Sequence, residues 1–138
     1  MKAKDVTAMK IAICDDSAVD RDYTAGMVDA WARDREISLI LRKFPSAEAF
    51  LFQYAEEKDW DILLLDIAMP ELDGIEIGHR LKTRHNIGRI IMLTGMIERF
   101  PEAFEIEAYR FVKKPIERDR LIKAIREAVN TFLGCSPV

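Results

Sequence analysis

Apolar residues along this chain fall into two alternating patterns: short, nearly unbroken runs, and longer stretches in which they recur every three or four positions. The runs predict strands at about 10–14, 37–44, 61–66, 89–94 and 110–113. The stretches between them predict helices. The first covers about 17–34, carries Val19, Tyr23, Met27, Ala30 and Trp31 at helical spacing, and has Ser17 in position to cap its start. The second, at about 46–57, opens at Ser46 after Pro45 and packs Phe50, Leu51 and Tyr54. A third runs from near Gly74 to about Arg84, and the last fills about 116–133 with Leu121, Ile122, Ile125, Val129 and Phe132 on its buried stripe. Between Glu98 and Glu107, Pro101 leaves room for a short helix that starts at or just after it. Strands alternating with helices imply a parallel sheet covered on both faces.

Charge orders the strands. Ile62–Leu65 and Ile90–Leu93 are unbroken apolar runs, as interior strands are, whereas Leu39–Phe44 and Tyr109–Lys114 interleave basic residues, as edge strands do. Strands two and five therefore lie outside. This fits an α/β fold with a flavodoxin-like, doubly wound, five-stranded parallel sheet in the order 2-1-3-4-5.

Ligands of such sheets bind beyond the carboxyl ends of the strands. There the sequence puts Asp15-Asp16 after the first strand, Asp66 at the end of the third, Thr94 at the end of the fourth and Lys114-Pro115 after the fifth. Each is bland alone: an acid pair can cap a helix, an Asp can close a turn, and a lysine can be a solvated surface charge. Together they place three carboxylates in one crevice. Such crowding raises the cost of ionisation unless a cation is present, and magnesium suits an all-oxygen site because it retains exchangeable waters.

The ordered set of acid pair, Asp66-Ile67-Ala68-Met69-Pro70, strand-end hydroxyl and Lys-Pro resembles the response-regulator receiver domain, CheY-like, over roughly residues 9 to 130. The resemblance implies a two-component signalling module rather than an enzyme acting on other molecules. Asp66 would accept a phosphoryl group from a sensor histidine kinase or a phosphotransfer protein. Asp16, Asp66 and the Ala68 carbonyl would bind Mg2+ directly, with Asp15 acting mainly through water. Thr94 and Lys114 would contact the phosphoryl oxygens, and a switch would couple Thr94 to Phe111, the aromatic three residues before the lysine. The fourth helix, fifth strand and fifth helix would then carry the signal outward, with self-association on phosphorylation as one outcome. Phe111 stands where tyrosine is common in the family, so switching there would be steric.

Composition narrows the picture slightly. At 138 residues and 49% hydrophobic the chain suits one domain with a single core. A net charge of −3 shows no basic excess for nucleic acid, and no run approaches the length of a membrane span or a signal peptide. The default location is cytoplasmic. Cys14 and Cys135 are isolated thiols without metal spacing, and His79 and His85 have no acidic or cysteine companions in sequence, so none is assigned chemistry.

The segment from Glu102 to Ile116 resembles receivers that precede LytTR-type DNA-binding domains. That implies an output domain beyond this chain, working through transcription; a stand-alone single-domain regulator is the alternative. Residues 1–8 read as a leader, 9–133 as the receiver, and 134–138 as a tail or the start of a linker. Two other chemistries fit less well. A haloacid-dehalogenase-type phosphohydrolase needs a second Asp two positions after its nucleophile, where this chain has Ala68, and an FMN carrier needs a phosphate-cradling loop where this chain has two acids.

Overall fold

A computed structural model of the chain describes residues 8–54, 60–66, 89–95 and 110–132. Its elements are β1 (Met9–Cys14), α1 (Ala18–Asp34), β2 (Leu39–Phe44), α2 (Ala47–Tyr54), β3 (Ile62–Asp66), β4 (Arg89–Thr94), β5 (Arg110–Lys113) and α3 (Arg118–Phe132). The strands form one parallel sheet in the order β2-β1-β3-β4-β5, as the charge pattern predicts. β3 is buried throughout, while Arg42, Lys43, Arg110 and Lys113 are exposed on β2 and β5, which have a neighbour on one side only. The predicted third and fourth helices lie outside the described residues. Among those described, no helix is long and apolar enough to cross a membrane.

The two-residue period of each strand sorts the core into two layers. Ile11, Ile13, Ile62, Leu64, Ile91, Leu93 and Val112 join the α1 and α3 residues Val28, Trp31, Leu121, Ile125 and Ala128 in one cluster. On the other face, Phe44, Phe50 and Trp60 meet edge to face or tilted, with ring centroids 5.2–6.4 Å apart. Lys10 Nζ stands 4.9 Å over the Trp60 ring.

α1 begins as the sequence suggests. Ser17 is the N-cap, and its Oγ accepts the Asp20 N–H at 3.2 Å. Its buried face differs from the expected one, however. Val19 is 78% exposed and Tyr23 57%, and Ala30 is half-buried; the interior positions are Thr24, Ala25, Met27, Val28, Trp31 and Ala32. Steps of four residues drift by about 40° around a helix. A stripe continued back from Met27 by such steps therefore leaves the core side before it reaches Val19. On α2, Phe50 is fully buried, and on α3 Leu121, Ile122, Ile125 and Val129 face inward as expected. The side chains of Leu51, Tyr54 and Phe132 fall outside the described groups.

Candidate functional site

Asp66 closes β3, and its neighbours across the sheet end at the same level: Cys14 pairs with Leu65, Asp66 with Leu93, and Thr94 with Lys113. Asp66 continues the alternation of Ile62 and Leu64, and so lies on the sheet face covered by α1 and α3. Burial falls unevenly on the three acids. Asp15 is 0% exposed and Asp66 5%, whereas Asp16 is exposed. One carboxylate oxygen from each lies within 4.8 Å of the others.

The acids are not alike in what they hold. Asp15 is fully engaged: Oδ1 accepts the Ser17 N–H at 2.9 Å and Oδ2 accepts from Lys114 Nζ at 2.9 Å, while the Asp15 carbonyl accepts from Arg21 Nη1 at 2.9 Å. Lys114 Nζ also donates to Asp66 Oδ2 at 3.2 Å and to Asp20 Oδ2 at 3.1 Å. Burial by itself would lower the Lys114 pKa. The hydrogen bond to Asp15, the charges of Asp66 and Asp15, and the bond to Asp20 outweigh it and raise the pKa above its ordinary value of 10.5. Beneath the acids, Cys14 gives its S–H to the Ser46 carbonyl at 3.4 Å. Burial first, and then the charges of Asp15 and Asp66, push this thiol up to about 12.

A hard divalent cation fits this donor set, because every ligand atom is a carboxylate oxygen and the spacing suits shared coordination. Both Asp15 oxygens already accept hydrogen bonds, and Asp66 Oδ2 accepts one from Lys114. A buried carboxylate beside an ammonium, in a group of acids that could hold a hard cation, is an arrangement that can bind an oxyanion. Of the residues named from sequence, the structure brings Asp15, Asp16, Asp66 and Lys114 together. Thr94 ends β4 with its hydroxyl outside the described groups, and Ala68 lies outside the described residues. Phe111 is half-buried on β5, paired with Met92.

Sequence reasoning missed Asp20. The signal is its place on α1: it precedes buried Thr24 by one four-residue step, which puts it at the margin of the inward side, half-buried in the first turn. Arg21 was likewise not foreseen; its guanidinium reaches back over six positions to the Asp15 carbonyl.

The model of the response regulator receiver domain family matches residues 11–126, and the chain belongs to that family. It is 29% identical over 122 residues to the chemotaxis protein CheY of Listeria monocytogenes, covering 87% of this chain and 98% of that one. It is 26% identical over 119 residues to the sensory transduction protein LytT of Bacillus anthracis, covering 86% of this chain and 46% of LytT. Across four of the curated relatives it matches, the chain spans between 26% and 46% of their length. The crystal structure of a response regulator receiver domain protein from Clostridium thermocellum superposes with a TM-score of 0.80 at 21% identity, over 93% of this chain and 99% of that one. That likeness bears on the fold, which is the flavodoxin-like receiver fold.

Proposed function

We propose that this receiver domain accepts a phosphoryl group on Asp66 from the phosphohistidine of a sensor kinase or phosphotransfer protein. The observation that carries the reading is the placement of the Asp66 carboxylate at a strand end, within 4.8 Å of Asp15 and Asp16 and 3.2 Å from the Lys114 ammonium. A carboxylate oxygen of Asp66 forms the new O–P bond as the bond from phosphorus to the donor nitrogen breaks, and the electron pair leaves with the imidazole. Lys114 supplies positive charge to the transferred oxygens, and Thr94 a hydroxyl donor. Asp16, Asp66 and the Ala68 carbonyl would hold magnesium, with Asp15 acting through water; bound there, magnesium would offset the repulsion among the acids and between Asp66 and the incoming group.

The domain acts as a phosphoacceptor rather than as an enzyme on other substrates, and residues 9–133 form the module. Its output runs through Thr94 and Phe111 to the surface around β5 and α3. The similarity to LytT, together with the segment Glu102 to Ile116, favours transcriptional output through a LytTR-type domain. The similarity to the chemotaxis protein CheY supports a second reading, output by protein–protein contact.

Incubation with magnesium and a small acyl-phosphate donor, followed by mass spectrometry, tests the central step. One phosphoryl group is expected on the wild type and none on Asp66→Asn. Equal labelling of the two would sink the assignment.

A further inference from the structure

An ammonium has three N–H donors, and in Lys114 each has an acceptor: Asp15 Oδ2 at 2.9 Å, Asp20 Oδ2 at 3.1 Å and Asp66 Oδ2 at 3.2 Å. The first and third acceptors belong to the acid crevice. Asp20 does not. It sits in the first turn of α1, fixed through its backbone N–H to Ser17 Oγ, and is not one of the three acids whose oxygens cluster within 4.8 Å. The bond to Asp66 is the longest of the three.

With all three donors filled, Lys114 can meet more than one oxygen of a phosphoryl group only by surrendering a bond to another carboxylate. The bond to Asp15 is the costly one to give up, because that carboxylate side chain is 0% exposed and would be left uncompensated. The bond to Asp20 is the cheap one: its side chain is 46% exposed and the pair is screened by solvent. We propose that Asp20 is a positioning residue that holds the Lys114 ammonium back on the α1 side and releases it when a phosphoryl group occupies Asp66. The affinity of the site for that group is then set in part by a carboxylate outside the acid cluster. This inference rests on Asp66 being the acceptor.

The test is a double-mutant cycle read by binding rather than by turnover. Beryllium trifluoride, a phosphoryl mimic, is titrated at saturating magnesium into wild type, Asp20→Asn, Lys114→Met and the double variant, with magnesium affinity measured separately. Asparagine keeps the size and the first-turn geometry while removing the charge. Asp20→Asn is expected to tighten binding of the mimic by about two- to fivefold, the range of a half-exposed ion pair. Adding the same change to Lys114→Met is expected to alter nothing. Equal tightening in both backgrounds would mean that a negative charge near an anion site was removed, with no part for Lys114, and would overturn the proposal. Unchanged or weaker binding in Asp20→Asn overturns it too. If wild type itself fails to bind the mimic and Asp66 is not phosphorylated, the phosphoacceptor reading falls and the proposal with it.

Discussion

Lys114 Nζ lies 2.9 Å from Asp15 Oδ2, joining two residues 99 positions apart, and the Asp15 carboxylate has no exposure of its own. The ammonium is therefore the counter-ion that makes burial of that acid tolerable.

Removing it should cost stability as well as chemistry. Lys114→Met is expected to destabilise the fold by about 2 kcal/mol, below the range of fully buried pairs because the lysine side chain is 19% exposed. Added magnesium should restore more stability to this variant than to wild type, since a second cation then serves the same acids. Urea unfolding of both proteins with and without magnesium checks this. A variant as stable as wild type in metal-free buffer would show that Asp15 does not depend on Lys114.

Alkali should weaken the fold. The Cys14 thiol is raised from 9.0 to about 12, so between those values the folded chain keeps a proton that the unfolded chain has lost. Stability then falls as pH rises through that window. The raised pKa of Lys114 acts in the same direction: its contribution is whole below 10.5 and disappears as pH climbs past the folded value. Urea midpoints measured from about pH 7 to pH 10.5 should therefore decline above about pH 9, and Cys14→Ala should flatten the earlier part of the decline. A midpoint that rises with pH between about 9 and 10.5 would contradict the Cys14 shift.

The aromatic layer beneath β1 and β3 is a separate source of stability. Trp60 is 1% exposed, packs on Phe44 and Phe50, and takes Lys10 over its ring. Trp60→Ala should cost about 3–5 kcal/mol. Lys10→Met should cost less than about 1 kcal/mol, the scale of a surface cation–π contact. Equilibrium unfolding followed by circular dichroism distinguishes the two.

On α1, the two possible stripes make opposite predictions. Val19→Ser and Tyr23→Ser should each change stability by less than about 0.5 kcal/mol, whereas Val28→Ala should cost well over 1 kcal/mol. Thr24 is buried and its hydroxyl has no hydrogen-bond partner among the described residues, so Thr24→Val should be neutral or stabilising by up to about 1 kcal/mol. Large losses at Val19 and Tyr23 would return the buried face to the larger residues.

At the end of α1, Glu36 adopts φ 56, in the left-handed region that glycine enters without a Cβ clash. Glu36→Gly should stabilise by about 0.5 kcal/mol, relief of strain being partly offset by the greater freedom of the unfolded chain. A lowered melting temperature would argue against strain at this position.

The sheet and the acid crevice were legible in the sequence because both follow from local rules. Unbroken apolar runs mark interior strands, basic residues mark edges, and the first polar residue after a buried strand surfaces at its carboxyl end. Asp15, Asp16, Asp66 and Lys114 could be named on those grounds before any coordinates. The face of α1 could not, because a periodic helix offers more than one apolar stripe. The larger residues Val19 and Tyr23 suggested one, while close packing on the sheet and α3 selected another made mostly of smaller residues: Thr24, Ala25, Val28 and Ala32. Asp20 was hidden for the same reason. Its role as the third partner of Lys114 depends on how α1 is rolled against the sheet, and that angle is set by packing between elements far apart in the chain rather than by any residue's own preference.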